Sequence, residues 1–126
     1  MLSFSTKGSG NHEMVDKVRN ATEIAQAKAP DIAIDGELQG DAALNPEVAK
    51  SKVSEESKVA GKANILIFPD LNAGNISYKL VQHFANADAF GPMLQGFRKN
   101  ITDLSRGSTI DDIIGSAILI GSTAVK

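Results

Sequence analysis

The segment Asp103-Leu104-Ser105-Arg106-Gly107-Ser108-Thr109-Ile110-Asp111-Asp112 sets hydroxyls, an arginine and carboxylates beside the expected start of a helix. A helix N-terminus offers unpaired N–H groups and partial positive charge, so it attracts phosphate. Arg106 adds a planar fork that can grip phosphate at two points. A carboxylate within reach, Asp112 for example, can take a proton as a general base. The same residues also have a purely structural use. Thr109-Ile110-Asp111-Asp112 fits a capping box, in which Thr109 caps the helix and Asp112 reaches back. Acids in a first helical turn are stabilising without any chemistry. On that reading Arg106 is a surface or ion-paired arginine and Ser105 a turn residue. Residue types alone leave both uses open.

Ligands of a parallel sheet bind beyond the C-terminal ends of its strands. That rule selects three further loops, Thr6 to Gly10, Asp35 to Asp41 and Pro69 to Asn75. Asp70 is placed to cap the helix that follows it, while Asn72 or Asn75 can touch a substrate at the strand end. Asp35-Gly36-Glu37 reads as a simple acidic turn. Gly8-Ser9-Gly10 opens like a dinucleotide fingerprint, but Glu13 stands where a third glycine is needed. No Walker loop, nucleophile elbow or HExxH occurs, and His12 and His83 are each alone. With no cysteine, disulfides, thiolate metal sites and cysteine nucleophiles are excluded. Catalysis must rest on Asp, Glu, Arg, Ser, Asn and backbone amides, with no metal site and no resident cofactor expected.

The elements that carry these loops follow from periodicity. Leu2 to Ser5 alternates like a strand. A helix is expected from about Asn11 to Lys28, with Met14, Val18, Ala21 and Ala25 on one face, ended by Pro30. Ile32-Ala33-Ile34 is a short strand. Asn45-Pro46 opens a short helix to about Ser51, and the ionic stretch from Ser51 to Lys62 reads as a surface connection. Ala63 to Phe68 is a near-continuous apolar run, expected to be a strand covered on both faces. A helix follows from Leu71 to Asn86 with Ala73, Ile76, Leu80 and Phe84 on one face. Ala89 to Leu94 is a short strand or edge, Gln95 to Ser108 a long loop, and a last helix starts near Thr109 and runs almost to Lys126. This alternation implies an α/β fold with a mostly parallel sheet and helices on both faces, a three-layer α/β/α arrangement. Four strands are few for such a sheet, and the last helix is too apolar to stand free, so the chain reads as part of something larger.

Composition agrees with a globular α/β segment. The 126 residues are 42% apolar and 22% charged, which argues against long disorder. Aromatics are 5% with no Trp, so the core must be built from Ala, Val, Ile and Leu. Net charge is -2 with acids and bases interspersed, and no basic face for nucleic acid is visible. The start has no signal-peptide pattern. The longest apolar stretch, Ile110 to Val125, is interrupted by polar residues and is too short to span a bilayer. Absence of cysteine suits a reducing cytoplasm.

Four strings together resemble the phosphate acetyltransferase family. They are Met1-Leu2-Ser3-Phe4-Ser5-Thr6-Lys7-Gly8-Ser9; Asp35-Gly36-Glu37-Leu38-Gln39 with Asp41-Ala42-Ala43; Ile67-Phe68-Pro69-Asp70-Leu71 with Ala73-Gly74-Asn75-Ile76; and Asp103-Leu104-Ser105-Arg106-Gly107. They occur in the family's order and resemble the C-terminal portion of its longer, two-domain members. The resemblance implies a fold like that of isocitrate and isopropylmalate dehydrogenases. Residues 1–92 would be the later part of the second α/β domain, and 93–126 a segment returning to complete the first.

It further implies acetyl transfer between coenzyme A and inorganic phosphate, with coenzyme A as substrate rather than cofactor. Asp112 would take the thiol proton, Arg106 would hold the phosphoryl group, and Ser105 would stabilise the developing oxyanion. Lys7, Asp70, Asn75 and Gly107 are the matched candidates for substrate contacts. Ser108 and Ile110 depart from the family pattern without touching the matched catalytic positions. The family's other arginines fall outside this chain, so the site is expected to be incomplete and the chain inactive by itself. Family enzymes are usually homodimers. The alternatives are phosphate butyryltransferase and, in another class, a non-catalytic assembly or regulatory domain.

Overall fold

The computed structural model describes residues 1–123. The expected run of the last helix past Thr123 lies outside the described residues. The chain divides into two compact units, Met1–Asn75 and Ile76–Lys126.

In the first unit, three extended segments meet around residue 2. Leu2 N donates to Ile67 O at 2.8 Å, Ser3 N to Leu38 O at 2.9 Å, and Leu38 N to Met1 O at 3.1 Å. Leu2 and Leu38 form a parallel bridge. The content is α/β, but the segments Leu2 to Ser5, Ile32 to Ile34 and Ala63 to Phe68 do not develop into regular strands among the described residues. A ladder needs successive backbone groups to find a neighbour, and several here are spent elsewhere. Ile32 N is used by Ala29 O, at 3.1 Å, and Ile34 O by the Gln26 side chain, at 2.9 Å. Leu2, Leu38 and Ala43 form the core, with Val53, Ala60, Ala63 and Leu66 packed on it. The run Ala63 to Phe68 is therefore covered on one face only, since Ile65 is 71% exposed.

Helix α1, Glu13–Lys28, is capped by His12, whose Nδ1 accepts from Met14 N at 3.1 Å. Its buried face is Val15, Val18 and Thr22, one step round from the expected face, and Met14 is exposed. A short helix that periodicity did not reveal, α2, spans Gly40–Leu44. It leads into α3, Pro46–Lys52, capped as expected by Asn45, which accepts from Glu47 N and Val48 N. Gly61 closes the turn behind it. At φ +78°, with a Cβ that would lie 2.7 Å from Pro46 Cα, no other residue fits.

Helix α4, Leu71–Phe84, stops two residues short of the expected end and buries none of its residues. In the second unit, strand β1, Met93–Leu94, pairs antiparallel with β2, Ile101–Thr102, inside what periodicity reads as a loop. Helix α5, Ile110–Ser122, begins at Thr109 as expected. No described helix is long and apolar enough to cross a membrane.

Candidate active site

The segment before α5 is a chain of tight turns. Gly107 N donates to Ser105 Oγ at 3.3 Å and Ser108 N to Ser105 O at 3.0 Å. The serine thus shapes the turn that carries Arg106 and Gly107. Arg106 is exposed and makes no ion pair among the described residues, so of the two structural alternatives it matches the surface arginine and not the ion-paired one. At the helix start the capping box is complete. Asp112 N donates to Thr109 Oγ1 at 3.2 Å, and Thr109 N donates to Asp112 Oδ2 at 2.8 Å. Asp112 therefore caps the helix through one oxygen, and its Oδ1 accepts no hydrogen bond among the described residues. Ser105, Arg106, Gly107 and Asp112 share one continuous segment of the second unit.

The other candidates belong to the first unit. Asp70 Oδ1 accepts from Ala73 N at 2.9 Å, which spends that oxygen on the start of α4. Asn75 is exposed on α4. Lys7 sits in the left-handed region at φ +46°. Its Nζ pairs with Asp35 Oδ1 at 2.5 Å and donates to Gly36 O at 3.1 Å, so its charge is held within the chain. Asp35 also accepts from Ser57 Oγ and from Gly36 N. Burial pushes its carboxyl up, but these donors outweigh burial and leave it lowered. Lys7, Asp35 and Ser57 line a cleft of about 530 Å³ with Ile32, Ile34 and Val59.

Sequence reasoning missed the strongest electrostatic feature. Glu37 is not a simple turn residue, being only 2% exposed. Arg19 Nε reaches its Oε2 at 3.1 Å, and Arg19 NH2 its Oε1 at 3.3 Å. Ser5 Oγ at 2.9 Å and Gly8 N at 2.7 Å complete the shell. Burial raises the Glu37 carboxyl, but the donors win and hold it at about 2. Ser5 Oγ in turn accepts from Gly10 N at 2.9 Å. Of the N–H groups of the glycine turn, which a bound phosphate would use, that of Gly8 is thus filled by an anion of the chain itself and that of Gly10 by a serine hydroxyl. The one signal in the sequence was period: at strand spacing Glu37 shares a side with Asp35, opposite Leu38. Among the described residues no group of three or more His, Cys, Asp or Glu can hold a metal.

An N-terminal helix turn with an unpaired arginine, a turn-forming serine and a half-free carboxylate is a donor set suited to phosphate-ester or acyl-phosphate chemistry. The family described as phosphate acetyl/butaryl transferase matches residues 1–121, and the chain belongs to that family. Among its relatives is the phosphate acetyltransferase of Thermoanaerobacterium thermosaccharolyticum, 61% identical over 126 residues, which are 100% of this chain and 37% of that protein. The phosphate acetyltransferase of Escherichia coli is 57% identical over 114 residues, 90% of this chain and 16% of that protein. The crystal structure of a phosphotransacetylase from Streptococcus pyogenes superposes with TM-score 0.90 at 56% identity, covering 97% of this chain and 37% of that one. The chain spans just over a third of the length of the first relatives it matches.

Proposed function

We propose that the chain supplies the phosphate-holding and proton-accepting side of an acetyl transfer between coenzyme A and inorganic phosphate. The observation that carries this reading is the family match along residues 1–121, with relatives named phosphate acetyltransferase rather than butyryltransferase. Arg106, exposed and unpaired among the described residues, grips the phosphoryl group of acetyl phosphate. The free Oδ1 of Asp112 takes the thiol proton of coenzyme A while Oδ2 keeps the helix capped. The thiolate sulfur then bonds to the acetyl carbon, the carbon–oxygen bond to phosphate breaks, and phosphate leaves. Ser105, beside Arg106, stabilises the negative charge that develops on the acetyl oxygen. Gly107, Asn75, Asp70 and Lys7 are the proposed substrate contacts. Asp70 and Lys7 would have to give up part of their present bonding to serve.

The same reading takes the larger architecture to be three-layer α/β/α with a mostly parallel sheet, similar to isocitrate and isopropylmalate dehydrogenases. Residues 1–92 belong to the later part of one domain and 93–126 return to another. The parallel bridge of Leu2 with Leu38 supports that sheet. A cytoplasmic homodimer acting on coenzyme A and acetyl phosphate, with no nucleic-acid or membrane partner, accords with the cysteine-free, nearly neutral composition. The complete capping box favours a second reading in which Asp112 is structural and the chain an assembly or regulatory domain.

A chimera separates the two readings. This chain replaces the matched 126 residues of the T. thermosaccharolyticum relative, and coenzyme A-dependent release of phosphate from acetyl phosphate is measured. Turnover near that of the parent is expected. A folded chimera without turnover would sink the catalytic reading and leave the assembly role.

A further inference from the structure

The turn from Thr6 to Gly10 is fully bonded within the chain. Thr6 N donates to Ser9 Oγ at 2.9 Å, Lys7 N to Glu37 O at 3.2 Å and Ser9 N to Thr6 O at 3.1 Å. Gly8 N donates to Glu37 Oε1 at 2.7 Å and Gly10 N to Ser5 Oγ at 2.9 Å. Such a turn has no amide left with which to cradle an anion. What it offers an anion is the ammonium of Lys7, on the wall of the cleft of about 530 Å³.

The backbone makes lysine an unexpected residue at this position. Lys7 and Gly8 are the central residues of the Thr6–Ser9 turn, at φ +46° and +88°, a geometry that Asn and Gly adopt far more readily. A strained residue of this kind persists only where its surroundings fix it, and such residues gather at functional sites. Glu37 fixes Lys7 from both sides. Its backbone O takes the N–H of Lys7, and its carboxylate takes that of Gly8. The carboxylate is itself gripped by Arg19 through Nε and NH2 and by Ser5 Oγ. Asp35 holds Lys7 Nζ, but it also accepts from Ser57 Oγ and Gly36 N. It therefore keeps donors when the ammonium turns to another anion, and the flexible lysine stem permits that turn without moving the backbone.

We infer that Glu37 is a positioning residue: gripped by Arg19, it sets the backbone of Lys7 so that the ammonium reaches a phosphate oxygen of a substrate in the cleft. The inference rests on the acetyl-transfer reading, in which acetyl phosphate and coenzyme A both carry such oxygens.

A double-mutant cycle in the chimera tests it. Lys7→Asn keeps a residue suited to the left-handed backbone and removes the ammonium. Glu37→Gln leaves one acceptor oxygen where the network uses two. Each should lower kcat/KM about tenfold or more, and the KM that rises, for acetyl phosphate or for coenzyme A, identifies the substrate that Lys7 meets. The double variant should be no worse than Lys7→Asn alone, within about twofold. Effects that multiply would make Glu37 a stabilising residue that does not act through Lys7, and would overturn the inference, as would unchanged kinetics in Lys7→Asn. Exchange of the Gly8 amide in the 126-residue chain is a readout independent of activity. It should quicken at least about tenfold in Glu37→Gln, and no change there would also overturn the inference. Should Glu37→Gln fail to fold, Arg19→Lys, which loses the two-point grip on Glu37, replaces it in both measurements. A parent chimera without turnover is a different result. It sinks the acetyl-transfer reading, and this role with it, whatever the Gly8 amide does.

Discussion

Asp112 has one oxygen committed to Thr109 N and the other without a partner among the described residues. An asparagine there can keep the cap, since an amide oxygen also accepts from a backbone N–H, but it cannot take a proton. In the chimera, Asp112→Asn should therefore lower kcat about 10²- to 10⁴-fold with little change in KM; steady-state kinetics at saturating coenzyme A decide it. Unchanged turnover would leave Asp112 a capping residue only. Arg106→Lys probes the neighbouring position. Lysine keeps charge and loses the two-point fork, so KM for acetyl phosphate or turnover should suffer about tenfold or more, while KM for coenzyme A stays put. Equal kinetics would mean that charge alone matters there. Glu37 offers a third test, on the 126-residue chain itself. Its carboxyl is held at about 2 against an ordinary 4.5. A lowered folded pKa gives stability that is full above the ordinary value and is lost as pH falls towards the folded one. From pH 5 down to about 2, urea midpoints should therefore fall by the equivalent of about 2–3 kcal/mol. In Glu37→Gln the chain should be less stable at pH 7 and its acid dependence flatter, with Asp35 contributing what slope remains. An unaltered acid limb would show that the Arg19–Glu37 pair is not the linked group. The Thr109–Asp112 cap was readable in the sequence because it closes within four residues. Glu37 was not, because its meaning comes from Arg19, Ser5 and Gly8, distant in sequence and gathered only by folding.

At the scale of elements, caps and turns were legible and sheets were not. Asn45-Pro46 and Thr109 each start the helix that their chemistry announces, since a cap is satisfied within four residues. Ala63 to Phe68 carries the composition of a strand covered on both faces, yet Ile65 and Ile67 remain exposed. The pattern records a neighbour, and a strand is defined by that neighbour's hydrogen bonds rather than by its own residues. The shifted face of α1 has a similar cause. Counting from Met14 meets the apolar Val18, Ala21 and Ala25, whereas counting from Val15 meets the polar Thr22, and only the packed core selects Val15 and Thr22. The cap of α5 invites a direct test. Thr109→Ala removes the oxygen that accepts from Asp112 N and leaves the Asp112 carboxylate to hold Thr109's backbone alone. It should cost about 1 kcal/mol of local stability, visible as faster exchange over the first turn of α5 in the chimera, and kcat should fall with it because the proposed base loses half its anchor. Slower turnover without faster exchange would mean that the threonine hydroxyl has a role beyond the cap.

For the whole molecule, the balance between apolar surface and interior sets the behaviour of the isolated chain. Large apolar side chains remain exposed on several elements, Ile65 at 71%, Leu71 at 82%, Phe84 at 84% and Ile110 at 75%. Monomeric proteins rarely leave such residues in contiguous patches, because burying them against any complementary surface is favourable. Net charge of -2 supplies little repulsion between copies. The chain should accordingly self-associate as its concentration rises, and light scattering across a dilution series should give a mass that climbs above that of one chain. Weak association of this kind does not assemble the site. Arg106 is the only arginine on the proposed phosphate-holding turn, and a phosphoryl group held by one fork retains rotational freedom that transfer cannot tolerate. The isolated chain should therefore show no coenzyme A-dependent release of phosphate from acetyl phosphate above the uncatalysed rate, at any concentration in that series. Turnover that grew with association would mean that a second copy supplies the missing groups. Turnover by a strict monomer would mean that these 126 residues already hold a complete site.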